Sequence, residues 1–194
     1  MDNAAPVVAS VSVPANGTYV VGQNLDFVVN IASASDVVVD TLGGTPRIAL
    51  TVGASTRYAS YISGSASPWL TFRYTVQPGD FDANGITVAG VIDANSGTLT
   101  DGSGNNMNLT LNSVGSTASV LVDGLTVPDA PTIGTATAGN AQASVTFSAP
   151  ANNGGTAITT YTATASPGGA SGNCAGPAPC SISVTGLDNG TSYS

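Results

Sequence analysis

The sequence predicts an all-β protein, and three observations carry that prediction. Apolar residues alternate with polar ones at a period of two, turn-forming dipeptides punctuate these runs at short intervals, and the best helix formers are almost missing. All eleven acidic residues are aspartates, all three cations are arginines, and the chain has no lysine, glutamate or histidine. Threonine and valine, which suit a pleated and half-buried surface, are abundant instead. No window repeats apolar residues at i, i+3, i+4 and i+7 over three turns, so helix is excluded.

In chain order, Leu25, Phe27, Val29 and Ile31 point to one face while Asp26, Val28 and Asn30 point to the other. Ile48, Leu50 and Val52 form a shorter run of the same kind. Leu70, Phe72, Tyr74 and Val76 repeat the pattern, with Thr71, Arg73 and Thr75 outside. Met107-Leu109-Leu111 and Ala118-Val120-Val122 complete it. Between these runs lie Asn16-Gly17, Gly43-Gly44, Asn84-Gly85, Asn95-Ser96-Gly97 and Asp101-Gly102, pairs that tolerate the positive φ of tight turns. The spacing predicts about nine strands before residue 125, the density of a β-sandwich.

Composition also removes several functions. Without histidine there is no Ser-His or Cys-His pair and no imidazole metal site. Without lysine there is no Schiff base, no phosphate-loop lysine and no lysine-to-asparagine isopeptide crosslink. Three cations against eleven anions leave a net charge of −8, which argues against a nucleic-acid partner. Charged residues are only 7% of the chain, yet no apolar run reaches the roughly 18 residues that span a bilayer, so membrane insertion is not expected. Met1-Asp2-Asn3-Ala4-Ala5 lacks the charged and apolar regions of a secretory leader, which predicts a piece excised from a longer secreted protein.

The chain changes character at Leu125-Thr126-Val127-Pro128-Asp129-Ala130-Pro131, where two prolines in four residues predict a stiff, extended connector. Residues 1–125 form one predicted domain, 126–131 a Pro-rich linker and 132–194 a second, smaller domain. Beyond the linker arginine disappears and Ala, Gly and Thr rise.

Residues 127–194 resemble a bacterial fibronectin type III module. The resemblance rests on Val127-Pro128-Asp129-Ala130-Pro131, on Ala143-Ser144-Val145-Thr146-Phe147-Ser148-Ala149-Pro150, and on Asn152-Asn153-Gly154-Gly155 leading to Tyr161. Leu187, Gly190 and Tyr193 stand where the family places its tyrosine-corner turn. Phe147 departs from the tryptophan common at its position, and the family's last two strands lie beyond Ser194. An incomplete module of this kind is expected to be marginally folded or to be completed by strand exchange with another chain; docking on the first domain is the plainer alternative.

Residues 10–123 resemble the immunoglobulin-like repeats of large bacterial surface adhesins. The matching stretches are Gly17-Thr18-Tyr19-Val20-Val21-Gly22-Gln23-Asn24-Leu25-Asp26-Phe27, Gly44-Thr45-Pro46-Arg47-Ile48, Arg57-Tyr58-Ala59-Ser60-Tyr61, Leu70 through Asp80, and Leu99-Thr100-Asp101-Gly102. Together the resemblances imply an immunoglobulin-like β-sandwich followed by a second, incomplete fibronectin type III-like β-sandwich. The implied role is a non-catalytic spacer on a bacterial surface or in a secreted adhesin, whose partners are the neighbouring modules of its own polypeptide. The alternatives are a calcium-dependent module that binds carbohydrate or a host protein, and an accessory module of a secreted polysaccharide-degrading enzyme.

Asp80-Phe81-Asp82-Ala83-Asn84-Gly85 reads D-x-D-x-N-G, the first half of a calcium loop, in which alternate oxygens converge on one ion. Asp80, Asp82 and Asn84 are therefore the candidate metal ligands and Ca²⁺ the candidate cofactor, although none is required. The twelfth position is Val91 rather than a bidentate glutamate, so a plain Asn-Gly hairpin turn competes with the metal reading. Asp101-Gly102-Ser103-Gly104-Asn105 is a second oxygen-rich turn, and Asp123 and Asp129 bracket the linker. Two aspartates can also run glycoside hydrolysis, but these sit in glycine-rich turns or outward positions where water keeps them ionised. Tyr19, Tyr58, Tyr61, Trp69 and Tyr74 are either core fillers or a sugar-stacking platform. Cys174 and Cys180 enclose five residues and predict a local disulfide, worth about 2.4 kcal/mol at most for so short a loop.

Overall fold

A computed structural model of the chain describes residues 3–32, 36–177 and 179–194. It is all-β, with sixteen strands and no helix among the described residues, hence none long and apolar enough to cross a membrane. The chain divides into two compact units, Met1–Leu125 and Thr126–Ser194.

The first unit contains β1 (Val8–Ser12), β2 (Gly17–Val20), β3 (Asn24–Ile31), β4 (Val37–Asp40), β5 (Arg47–Val52) and β6 (Ser55–Ser63). It continues with β7 (Trp69–Thr75), β8 (Phe81–Asp82), β9 (Thr87–Asp93), β10 (Thr98–Asp101) and β11 (Val120–Asp123). A six-stranded sheet runs β1-β3-β7-β6-β5-β9, a three-stranded sheet runs β2-β11-β8, and β4 pairs with β10. Leu25, Phe27, Val29, Ile48, Leu50, Leu70, Phe72 and Ile92 of the large sheet pack with Val37, Leu99, Val120 and Val122 of the small ones in one core. Most of these side chains are fully buried, and truncating either phenylalanine would cost about 3–5 kcal/mol.

On the outer face of the large sheet the register aligns Asp93, Arg47, Ser60, Arg73 and Asp26 across five strands. The hydrogen-bond partners are Arg47 Nε to Asp93 at 2.8 Å and a two-pronged Arg73–Asp26 pair at 2.7 Å. Both pairs are open to solvent, which screens them, so each fixes register more than it stabilises.

Among the described residues, the three-stranded sheet β2-β11-β8 contains the one parallel pairing between named strands. Gly17, Thr18, Tyr19 and Val20 stand opposite Val120, Leu121, Val122 and Asp123. The pairing extends upstream: Val11 N–H donates to the Ser113 carbonyl, Gly115 N–H to the Val11 carbonyl, and Gly17 N–H to the Ser119 carbonyl. The chain's entry into this unit thus lies alongside its exit, both running the same way.

Two expected strands come out differently. Met107 and Leu111 are buried as the alternation predicts, but this stretch forms no ladder: it makes the isolated bridges Thr100–Asn106 and Val91–Thr110 and a bond from Asn108 N–H to the Pro6 carbonyl. Ala118 is exposed, and β11 begins two residues later.

The second unit contains β12 (Thr132–Gly139), β13 (Gln142–Ser148), β14 (Thr160–Thr164), β15 (Ser171–Ala175) and β16 (Cys180–Thr185). One sheet is β12-β13-β16 and the other is the hairpin β14-β15. Phe147, Tyr161, Ala165, Ile182, Val184 and Leu187 form its separate core, with the Phe147 and Tyr161 rings 4.6 Å apart. Gly172 of β15 lets the two layers approach: a Cβ there would lie 2.1 Å from the Ser183 carbonyl oxygen. The Pro-rich segment is tied to this unit, since Thr126 N–H donates to Gly154 O and Asp129 N–H to Asn152 O.

Candidate functional site

Asp80 precedes β8 and its side chain is fully buried. One carboxylate oxygen accepts Arg57 Nε at 2.6 Å; the other accepts the Tyr74 hydroxyl and, at 2.8 Å, the Gln77 amide. Its backbone is held as tightly, with Gly124 N–H donating to the Asp80 carbonyl at 2.6 Å. Arg57 comes from β6 and Tyr74 from β7, so Asp80 joins the large sheet to the segment that carries β8. Burial, followed by the hydrogen bond to Asp80, pushes the Tyr74 hydroxyl well above the usual phenol range. The same carboxylate raises the already high pKa of Arg57.

Asp82 is also buried, but its oxygens take the Gly53 amide at 2.7 Å and the Asn84 amide at 3.1 Å. Asp80 thus faces a guanidinium and Asp82 faces backbone donors. A calcium cage needs six to eight oxygens converging on one point, and a carboxylate already neutralised by Arg57 is a poor member of it. As arranged, Asp80, Asp82 and Asn84 do not fit a calcium site, and among the described residues no group of three metal-ligating carboxylates or thiolates comes together. The calcium-loop pattern in the sequence is realised as an inter-sheet latch followed by a turn at Gly85, whose φ is +99°.

Asp101 ends β10 and is buried. It accepts the Ser103 and Asn105 amides and the Asn105 side-chain Nδ2, all within 2.8–2.9 Å. These bonds, the Asn105 side chain first, hold its carboxyl below the ordinary aspartate range. Arg47 does the same for Asp93, with help from the Asn95 amide. Each of the three arginines therefore has an aspartate partner, and no buried side-chain polar atom lacks a hydrogen bond among the described residues.

The aromatic residues do not gather into one platform. Tyr74 is buried, Tyr61 packs edge-on to Phe72, and Tyr58 lies beneath the Arg47 guanidinium at 4.1 Å. Trp69 is half exposed at the start of β7.

In the second unit Cys174 and Cys180 form the disulfide predicted from their spacing, their Cα atoms 6.6 Å apart. The Tyr193 hydroxyl accepts the Asp188 amide at 3.0 Å and closes the turn that follows β16. Beside β14 runs an uncharged groove of about 390 Å³, lined by Ile133, Val145, Phe147, Tyr161, Ala163 and Ile182.

Sequence spacing gave no hint of the Arg57–Tyr74–Asp80 latch, because its members converge only through strand register. The parallel β2–β11 pairing was equally hidden. Neither a family model nor a curated protein matches the chain.

Proposed function

We propose that this chain is a load-bearing, non-catalytic spacer of a large bacterial surface or secreted protein, built from an immunoglobulin-like sandwich followed by a fibronectin type III-like unit. The observation that carries this reading is the parallel pairing of β2 with β11. Tension applied through the two ends of the first unit acts along these strands in opposite senses. Every rung is then loaded at once, whereas an antiparallel hairpin pulled from its open end yields rung by rung. The upstream bonds at Val11 lengthen the clamp.

Other features support the same reading. The three arginines pair with Asp93, Asp80 and Asp26, so these charges hold strands and turns together, as a structural role requires. The Tyr193–Asp188 bond supports the fibronectin-like reading of the second unit, since a tyrosine hydroxyl bonded to upstream backbone marks that corner. The disulfide supports an oxidising, extracellular setting.

Single-molecule pulling from the two ends of the chain tests the proposal. Two discrete ruptures are expected, the larger extension coming from the first unit at the higher force. Smooth extension without a rupture of the first unit would overturn it.

A further inference from the structure

The chain contains four Asn-Gly pairs: Asn16-Gly17, Asn84-Gly85, Asn153-Gly154 and Asn189-Gly190. Such a pair can react with itself. The glycine nitrogen attacks the asparagine side-chain carbon Cγ, and the absence of a Cβ on glycine leaves the approach unhindered. Both partners must be at liberty, because an N–H already donating to a fixed acceptor cannot turn towards Cγ, nor a clamped side-chain amide swing towards it. In three of the pairs the fold ties one partner down. Gly17 N–H donates to Ser119 O at 2.9 Å. Gly154 N–H donates to Asn152 Oδ1 at 2.9 Å, while Asn153 Oδ1 accepts the Gly155 amide at 3.0 Å. Asn189 Oδ1 accepts the Ala141 amide at 2.9 Å, and its Nδ2 donates to Asn140 Oδ1 at 2.7 Å.

Asn84-Gly85 is different. Asn84 is exposed and is bonded through its backbone amide, which donates to Asp82 Oδ1. Among the described residues neither its side chain nor the Gly85 N–H has a hydrogen-bond partner. The turn thus depends on no bond from the Asn84 side chain, whereas it does depend on glycine at 85. The φ of Gly85 is +99°, and a Cβ there would lie 2.6 Å from the Ala118 backbone. The fold therefore fixes the attacking residue as glycine and leaves the amide beside it unconstrained.

We propose that Asn84-Gly85 is a self-modification site, at which the folded chain converts Asn84 to a mixture of aspartate and isoaspartate. The Gly85 nitrogen bonds to Asn84 Cγ, and its proton passes through solvent to Nδ2. The Cγ–Nδ2 bond breaks, Nδ2 leaves as ammonia, and a five-membered succinimide remains. Water then opens the ring. Cleavage between the nitrogen and Cγ gives aspartate; cleavage between the nitrogen and the Asn84 main-chain carbonyl carbon gives isoaspartate, whose backbone runs through the former side chain. One water is consumed and one ammonia released, with no oxidant or reductant. Either product places a new carboxylate near buried Asp82, and isoaspartate lengthens the chain by one methylene just before Ile86. Ile86 N–H donates to Val120 O and Ile86 O accepts the Thr117 hydroxyl, so the altered turn adjoins the start of β11. The inference stands or falls independently of the load-bearing role.

The test ages the whole folded chain in mildly alkaline buffer and follows each Asn-Gly pair by peptide mass spectrometry, scoring the change from amide to acid. Asn84 should convert at least tenfold faster than Asn16, Asn153 or Asn189. In urea the four should convert within about threefold of one another, because the reacting pair is the same in each. The product at position 84 should accept a methyl group from an isoaspartyl methyltransferase, which recognises the displaced carboxylate. Asn84→Gln, which would have to close a six-membered ring, should convert at least tenfold more slowly at that position and melt like the fresh parent. Aged parent should melt below fresh parent, and the aged variant should not. The proposal is overturned if Asn84 stays intact in the folded chain, if another pair converts as fast, or if no isoaspartate forms. It is equally overturned if the lead of Asn84 persists in urea, since sequence and not fold would then be its cause.

Discussion

Asp80 shows how one residue can satisfy a motif and serve another purpose. Its carboxylate is buried against Arg57, Tyr74 and the Gln77 amide, so removing it strands a guanidinium and a phenol at the edge of the core. Asp80→Ala should destabilise the first unit by about 3 kcal/mol in urea melts, the low end for a broken buried pair because Arg57 stays 35% exposed. Truncating Asp26, whose pair with Arg73 is about 40% exposed and screened by water, should lower stability far less than Asp80→Ala does. Millimolar calcium should leave the melting midpoint of the parent chain unchanged; a saturating rise would mean that Asp80 exchanges Arg57 for an ion.

The latch also sets a response to alkali. The folded-state pKa of Tyr74 is raised, so the stability it contributes is complete below the ordinary phenol value near 10 and is lost as pH rises beyond it. In an ultraviolet titration Tyr74 should ionise only as the unit unfolds, well above the usual phenol range. Asp93 and Asp101 work in the opposite sense: their lowered pKa values give stability that is present above about 3.8 and lost as pH falls through the folded values.

At the scale of strands, alternation located most of the core. Leu25, Phe27, Val29, Leu70, Phe72 and Tyr74 are all buried on the face that the period of two assigns them. Alternation reports which face is buried, not whether a ladder forms, and so Met107–Leu111 reads like a strand while making isolated bridges rather than a ladder. The parallel β2–β11 contact and the Asp80 latch were illegible for a different reason: both depend on which distant strands become neighbours, and no local pattern encodes that. The cysteine pair was legible because five intervening residues leave little choice of partner. Close approach was also hidden. Gly172→Ala should drive the β15 and β16 layers apart and destabilise the second unit by about 1–3 kcal/mol, measurable as a lower midpoint for that unit alone.

At the scale of the whole molecule, two separate cores predict two unfolding transitions in calorimetry. Reducing Cys174–Cys180 should lower only the transition of the smaller unit, by up to about 2.4 kcal/mol. The load-bearing reading rests on direction as well as strength. A clamp of parallel strands resists tension along its axis and yields to a pull across it, a contrast that a merely stable domain would not show. The most direct measurement compares rupture of the first unit pulled from the ends of the chain with rupture when the handles are attached at Asn16 and Ser119, where β2 and β11 begin. The account predicts a force several-fold higher for the end-to-end pull; equal forces in the two directions would contradict it.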